Sequence, residues 1–430
     1  MHGDLHDHCV LGTATRGLEL AAPITLSQSD RRRHLHVIGK TGTGKSSLLF
    51  NLMLADLAAD RGFALLDPHG DLAQAVLDAV PPERTNDVRY INPGDLEFPV
   101  GFNPLDRVVP DSRPLVAAHL VAAFKHLWLE SWGPRLEYIL LNSLRLLLDA
   151  PGTTLLGLPR LLVDKNYRAH LLRRCGDPMV HAFWTQEFAS YHDRFLVEAV
   201  APLQNKVGVL VSPPLLRNII GQQRSTINIA RIMNEGQILI ANLSKGQLGE
   251  GPSHLIGAFL ATAFAQAAEA RAKVPEEDRR DFHLYVDEFQ NFATDSFASV
   301  LSESRKWKLS LTLAHQYLGQ LPLALRQAIL GNIGSVLVFR IGADDAGAMA
   351  AELGIENAST LTDTQNFSAW AKVMQDGNPS DAIFLDTIYP DSQHAGGAGA
   401  VIARTRARHT RPRWLVETNV LKQFRPRETS

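Results

Sequence analysis

At 430 residues the chain is too long for one simple domain, and 45% hydrophobic with 20% charged residues is an ordinary globular composition that fills a large core. A formal net charge of −2 excludes a protein that coats nucleic acid through bulk basicity, while leaving room for one that grips it through a few loops. Two cysteines, Cys9 and Cys175, exclude a disulfide framework and fit a reducing compartment.

The opening "MHGDLHDHCV" has no positive stretch followed by an apolar one, so no signal peptide is expected. Residues 1–33 read as an N-terminal lead-in of turn-forming composition. His2, His6, His8 and Cys9 are metal-ligating residue types, but their spacing fits no zinc pattern and a disordered tail is the expectation. Arg31, Arg32 and Arg33 close the segment as a basic cluster, read as a solvated strand end or a subunit contact.

"HLHVIGKTGTGKSSLLFNLMLADL" carries the strongest signal. Leu35, Val37 and Ile38 predict a strand, and Leu48, Leu49, Leu52, Met53 and Leu57 recur with helical spacing. Between them, Gly39-x-x-x-x-Gly44-Lys45-Ser46 matches the phosphate loop. Glycines let backbone N–H groups close around phosphate oxygens, and the following helix turns its positive end to the anion. Gly39, Lys40, Thr41, Gly42, Thr43, Gly44, Lys45, Ser46 and Ser47 are therefore the predicted nucleotide-binding residues. Lys45 reaches the β- and γ-phosphates, and the Ser46 hydroxyl ligates Mg²⁺. "LLDPHGDL" then places Asp67, His69 and Asp71 after a strand. Asp67 either positions metal or water or closes a turn and caps a helix.

Strand and helix patterns alternate over residues 34–105, which argues a parallel α/β sheet. Over residues 106–231 the pattern becomes Leu- and Ala-rich with helical spacing, an all-helical insertion. Its tryptophans Trp128, Trp132 and Trp184 sit in helical patterns and are expected in the core. Residues 232–415 return to the α/β pattern, beginning with the strand "QILIANL" and a helix from Leu255 to Lys273. The uncharged run "GPSHLIGAFLATAFAQAA" contains Pro252, His254 and Gln266 and reads as an internal helix; no transmembrane segment is expected.

"DFHLYVDEFQNF" supplies the acidic partner of the phosphate loop: a buried strand, His283 to Val286, ending in Asp287 and Glu288. Asp287 would hold the Mg²⁺ shell with Ser46, and Glu288 would polarise the attacking water as general base. Downstream, Phe297, Val300, Leu301 and Ser304 share a helical face with Arg305 on its border, and a strand from Leu309 to Ala314 runs to Gln316. Ligands of doubly wound sheets bind beyond the carboxyl ends of the strands, which places Gln316 beside Asp287. Arg305, at the far end of that helix, cannot easily reach its own site and is expected to serve a neighbour's in a ring, unless Arg305 and Lys306 merely favour a helix C-terminus. Arg340 in "LVFRIG" is the alternative. "SVLVFRI" and "AGAVIARTR" read as late strands, and residues 416–430 as a C-terminal tail. Arg404, Arg406, Arg408, Arg411 and Arg413, with Trp414 nearby, either contact phosphates or form a solvated strand end or subunit contact.

Together "VIGKTGTGKS", "LLDPHGDL", "YINPGDLEFPVGFNPLD", "ILIANLSKG", "YVDEFQNF" and "SRKWKLSLTLAHQ" resemble the HerA–FtsK superfamily of P-loop motor ATPases, closest to the coupling proteins of conjugation and type IV secretion (TraD/TraG-like, TrwB-like). The resemblance runs from about Arg33 to Arg340. It implies a RecA-like, doubly wound, mostly parallel α/β sheet with an all-helical insertion, assembled as a homo-oligomeric, hexameric ring around DNA. It implies ATP and Mg²⁺ as substrate and cofactor and Gly39 to Ser46 as Walker A. Asp287 and Glu288 are then Walker B, Arg305 the trans-acting arginine and Gln316 the sensor glutamine. Lys45, Glu288, Arg305 and Gln316 form the implied catalytic set. The implied activity is a DNA-dependent ATPase and translocase in conjugative transfer, cytoplasmic or peripheral at the inner membrane through a secretion-channel partner. The alternatives are an ATP-gated module recruiting a protein partner, and a HerA-type motor in DNA repair, packaging or anti-phage defence.

Overall fold

A computed structural model of the chain describes residues 7–14, 22–294, 297–389 and 396–424. It divides into two compact units. The first comprises residues 1–91, 229–244 and 264–404, and the second residues 92–228, 245–263 and 405–430.

The first unit is built on one eleven-stranded sheet. Its strands are β1 (His8–Ala14), β2 (Ala22–Ser27), β3 (Leu35–Ile38), β4 (Gly62–Asp67), β5 (Val88–Ile91), β6 (Ile238–Asn242), β7 (Phe282–Val286), β8 (Leu309–His315), β9 (Ser335–Val338), β10 (Ser368–Lys372) and β11 (Ile383–Asp386). Their order is β2-β1-β11-β10-β9-β3-β8-β7-β4-β6-β5. From β9 to β5 every pair is parallel, whereas β10, β11, β1 and β2 add on antiparallel. The central strands "GFALLD", "ILIAN" and "FHLYV" are buried throughout, as unbroken apolar runs covered by helices on both faces must be. This is the RecA-like, mostly parallel α/β sheet expected from the motifs.

Three stretches differ from expectation. The lead-in carries β1 and β2, and β1 pairs with β11 through Thr13 and Asp386. Its alternation buries Cys9, Leu11 and Ala14, and a Cβ on Gly12 would stand 2.4 Å from the Asp386 carbonyl oxygen, so only glycine lets the strands close there. "AGAVIARTR" lies in a helix, Ala398–His409, not a strand. Its alanines and arginines are strong helix formers, and Ala398, Val401 and Thr405 make a buried helical face. The stretch read as a C-terminal tail overlaps a further helix, Arg413–Phe424, which buries Val416 and Val420.

Beneath the sheet a buried ionic network ties the lead-in down. Asp56 accepts from both Arg31 guanidinium nitrogens at 2.7 and 2.9 Å, from Arg61 Nε at 2.7 Å and from the Tyr285 hydroxyl. Burial pushes the Asp56 carboxyl up, but the Arg31 charge, with His283 and Arg61, more than offsets that and keeps it ionised. Removing the carboxylate leaves a fully buried guanidinium without its counter-charge. Asp56→Ala is therefore expected to lower stability by about 3–5 kcal/mol in urea unfolding. A loss below about 1 kcal/mol, the value of an exposed pair, would contradict this role.

Among the described residues of the same unit, His34, His36, His283 and His315 are buried. Burial lowers His34 and His315 to about 4 and His283 to about 3, and it lowers His36 well below 6.5 with His315 adding to the effect. His34 shows how the neutral form is held: its Nδ1 accepts from the Leu311 amide at 3.1 Å while Nε2 faces the Leu301 carbonyl at 3.2 Å. Because these bases titrate lower in the folded state, the unfolded chain binds more protons between about pH 4 and 6.5. Stability is expected to rise with pH through that window, by up to about 1.4 kcal/mol per pH unit per histidine, and to level off above it. A melting temperature flat from pH 4.5 to 7 would refute the assignment.

The second unit is helical. Helices Arg113–Leu127, Pro134–Asp149, Gly157–Val163, Lys165–Leu172, Asp193–Val211 and Pro214–Ile220 bury leucine-rich faces. Trp184 is in its core as expected, with Nε1 donating to the Asn142 carbonyl at 3.4 Å. Trp128 and Trp132 are half-buried: Trp128 stacks on Phe124, and Trp132 donates to Glu137. No helix among the described residues is long and apolar enough to cross a membrane.

Candidate active site

β3 delivers the chain into the loop from Gly39 to Gly44, and the helix Lys45–Ala58 leaves it. Gly42 and Gly44 take positive φ values of 76° and 120°, which L-residues with a Cβ resist. At Gly39 a Cβ would come within 2.6 Å of the Phe339 side chain. Glycines are thus required by geometry where the loop turns and where it packs on β9's exit. Thr43 Oγ1 donates to the Lys40 carbonyl at 2.7 Å, and the Lys40 amide donates to the Arg340 carbonyl at 2.8 Å. These bonds fix the loop at the helix N-terminus, the place where phosphate binds.

Lys45 is folded back over the loop, with Nζ donating to the Gly39 carbonyl at 2.6 Å and the Lys40 carbonyl at 3.1 Å. Burial lowers its pKa, opposed by the charges of Glu288 and Asp287. Ser46 Oγ donates to Asp287 Oδ2 at 3.3 Å. Burial pushes the Asp287 carboxyl up to about 6, and the charges of Asp67 and Glu288 add to that. A carboxylate crowded this way favours the arrival of a cation. Mg²⁺ keeps water and phosphate oxygens in its shell and takes only one or two protein oxygens. Ser46 and Asp287, a hydroxyl beside a carboxylate, fit that demand and are the residues that would hold it.

Asp67 makes the turn and cap contacts that were one of its two expected roles. It is buried, with Oδ1 accepting from the His69 amide and Oδ2 from the Ala73 amide, each at 2.8 Å. It closes the turn and caps the helix Asp71–Asp78, and its charge reaches Asp287 only through space. His69 is an exposed turn residue.

Glu288 stands at the end of β7 with φ 47° and ψ 55°, a left-handed conformation that a glutamate adopts only when its surroundings fix it. They do so on every side. Gln316 Nε2 donates to Oε1 at 3.0 Å, Gln290 Nε2 to Oε2 at 2.6 Å, and Asn291 Nδ2 to the backbone carbonyl at 2.8 Å. Gln316 thus reaches the site beside Asp287 and Glu288, as its place beyond β8 implied. Sequence reasoning misses Gln290, because an amide two residues past an Asp-Glu pair carries no signal by itself. Next to Gln316, His315 stacks on His36 with ring nitrogens 2.6 Å apart, which seats the end of β8 against β3.

The two candidate arginines separate cleanly. Arg305 is exposed on the turn Ser304–Trp307, which leads into the starting end of β8, while Gln316 follows its far end. Seven residues of strand put Arg305 about 20 Å from its own Glu288. Arg340 instead has its backbone bonded to Lys40, beside its own loop.

Sequence reasoning also misses an aromatic wall. The Phe367 amide donates to the Thr43 carbonyl at 2.7 Å, and a Cβ on Gly44 would lie 3.2 Å from Phe367 Cα. Its half-exposed ring meets the exposed ring of Tyr389 edge-on, centroids 5.2 Å apart. More than 300 residues separate Phe367 from the loop, so only the fold brings them together.

His2 and His6 lie outside the described residues, and Cys9 is committed to the lead-in, its Sγ lying 3.1 Å from Arg31 Nη1 and 3.2 Å from Arg61 Nη2. The late basic cluster disperses: Arg406 pairs with Asp95, and Arg413 with Glu97 and Glu417.

Comparisons with known proteins bear on the family resemblance and the fold. Residues 9–118 match the family model of the central domain of helicase HerA, a stretch that contains the phosphate loop. The fold is that of the bacterial conjugative coupling protein TrwB. The unbound TrwB structure aligns with a TM-score of 0.65 at 16% identity, over 88% of this chain and 89% of that one. TrwB in complex with ADP and Mg²⁺ aligns with 0.63 at 15% identity, over 91% and 97%. VirB4 of Thermoanaerobacter pseudethanolicus gives 0.58 at 16% identity, over 89% and 96%. No curated protein of similar sequence matches the chain. At these identities the likeness shows a shared fold, in accord with the resemblance read from the motifs.

Proposed function

We propose that the chain is a P-loop ATP hydrolase of the HerA–FtsK type that works on DNA as a ring, coupling-protein-like in conjugative transfer. The observation that carries the hydrolase reading is the convergence, beyond the carboxyl ends of β3, β7 and β8, of a phosphate loop, a Ser46–Asp287 pair and a glutamate gripped by a sensor amide. The family-model match and the TrwB and VirB4 folds support the DNA-motor reading.

On this reading the triphosphate lies over the loop, cradled by its N–H groups. Lys45, which satisfies its ammonium on the Gly39 and Lys40 carbonyls, transfers those bonds to the β- and γ-phosphates. Phe367 and Tyr389 offer the nucleobase an apolar face. Ser46 and Asp287 would hold Mg²⁺, which would supply neutralisation of phosphate charge when bound. Glu288 takes the proton of the attacking water, and Gln316, bonded to its carboxylate, relays whether the γ-phosphate is present. Arg305 is exposed at the opposite end of β8 from Gln316, and this supports a composite site in which it completes a neighbour's.

The test measures ATP turnover with and without single- and double-stranded DNA, alongside mass in solution with ATP and Mg²⁺. The expected result is an oligomer whose turnover DNA stimulates and Lys45→Ala abolishes. Turnover indifferent to both DNA forms would overturn the motor reading, and turnover surviving in Lys45→Ala would overturn the hydrolase assignment.

A further inference from the structure

The helical unit contains a concave cleft of about 1040 Å³, bounded by the helices Gly157–Val163, Lys165–Leu172 and Arg413–Phe424 and the turn after Ile220. Arg160, Arg173, Arg174, Arg224, Arg411 and Lys422 line it, and Asp164 is the one carboxylate among its lining residues. In a chain of net charge −2, such a concentration is not a by-product of composition.

Two of these cations are structural. Arg160 bonds Asp164 at 2.9 Å, donates to the Gln423 carbonyl at 2.7 Å and lies 4.4 Å over the Tyr167 ring; Arg224 pairs with Asp106 at 3.0 Å. For Arg173, Arg174, Arg411 and Lys422 no carboxylate partner is found among the described residues, and all four are exposed. Cations gathered in a concavity without counter-charge repel one another, and a polyanion relieves that repulsion. Three of the four are arginines, whose planar fork matches phosphate. The lining also includes Phe424, which is 48% exposed, and Tyr167. Aromatic faces alternating with cations are what a single strand with splayed bases uses, and a protein carboxylate surface has no use for them. At about 1040 Å³ the cleft has room for a few nucleotides of one strand.

We infer that this cleft is a second, ATP-independent binding site, which grips the phosphate backbone of a single-stranded nucleic acid and stacks a base on Phe424. The inference rests on the proposed action on DNA and assigns where, outside the nucleotide site, a strand is held.

The experiment uses the full chain and a fluorescein-labelled oligothymidylate of roughly a dozen nucleotides, within the usual range of strand-binding sites. Anisotropy is followed across a salt series without ATP. The double substitution Arg173→Ala and Arg174→Ala is expected to raise Kd at least about ten-fold and to flatten the salt slope by about 0.7 for each phosphate left without its cation. Phe424→Ala is expected to weaken binding about ten-fold with the salt slope unchanged. Turnover measured without DNA stays at the wild-type level in both, because these residues lie outside the nucleotide site. Wild-type affinity and slope in the double variant would overturn the proposal. So would failure of the wild type to bind the oligonucleotide, or equal competition by a duplex hairpin or by polyglutamate. DNA stimulation of turnover is scored separately: stimulation retained with strand binding unaffected by the substitutions sinks the cleft and spares the motor reading, and strand binding abolished by the substitutions without any stimulation in the wild type does the reverse.

Discussion

Glu288→Gln lowers kcat for ATP by about 10³-fold and leaves nucleotide affinity near wild type. The substitution keeps the shape of the side chain and the backbone that demands φ 47°, so the loop, Asp287 and Gln316 stay in place. What disappears is the carboxylate that accepts the proton of water, a contribution of roughly 10²–10⁴. Steady-state turnover with a nucleotide-binding titration on the same preparation separates the two effects. Turnover within ten-fold of wild type would show that another group is the base. The fixed position of Glu288 strengthens the expectation, since both of its oxygens are already placed by amides and no rearrangement of the backbone is required to present it.

The second large effect is expected at Arg305. Arg305→Ala should reduce turnover by roughly 10³–10⁵, the value of a trans-supplied arginine, although the residue is about 20 Å from its own Glu288. A side chain at that distance cannot act on the nucleotide bound by its own loop. Mixing Arg305→Ala with Lys45→Ala subunits provides the decisive readout. A pocket formed by the intact loop of one subunit and the intact arginine of the next is restored at a fraction of interfaces, so activity returns where neither variant has any. A mixture as inactive as its components would end the composite-site idea. Arg340→Ala is the control: its backbone is bound to Lys40 beside its own loop, so its loss should not be rescued by mixing.

Much of this site is legible in the residues alone. The phosphate loop declares itself because its glycines answer local steric demands, seen here at Gly39, Gly42 and Gly44, and because a strand and a helix flank it at fixed spacing. Asp287 and Glu288 follow from an unbroken apolar strand, and Gln316 from the rule that sites lie beyond the strands' carboxyl ends. What stays hidden depends on tertiary proximity. Phe367 and Tyr389 reach the loop only because β10 and β11 join the sheet at its antiparallel side. Gln290 has meaning only once Glu288 is seen in its left-handed turn. The lead-in strands are illegible because β1 and β2 are only partly buried and their alternation is interrupted, so that they imitate a turn-rich segment. At Ala398–His409, an Ala-Val-Ile run imitates a strand until the alanines and arginines around it are weighed as helix formers.

The tethering of Glu288 by two glutamines also bears on aim. Each carboxylate oxygen accepts one amide bond and keeps one acceptor direction free, so the amides leave the group only those directions in which to meet a water proton. On the proposed reading, accuracy of orientation, rather than unusual basicity, is what the pair of glutamines lends to the reaction.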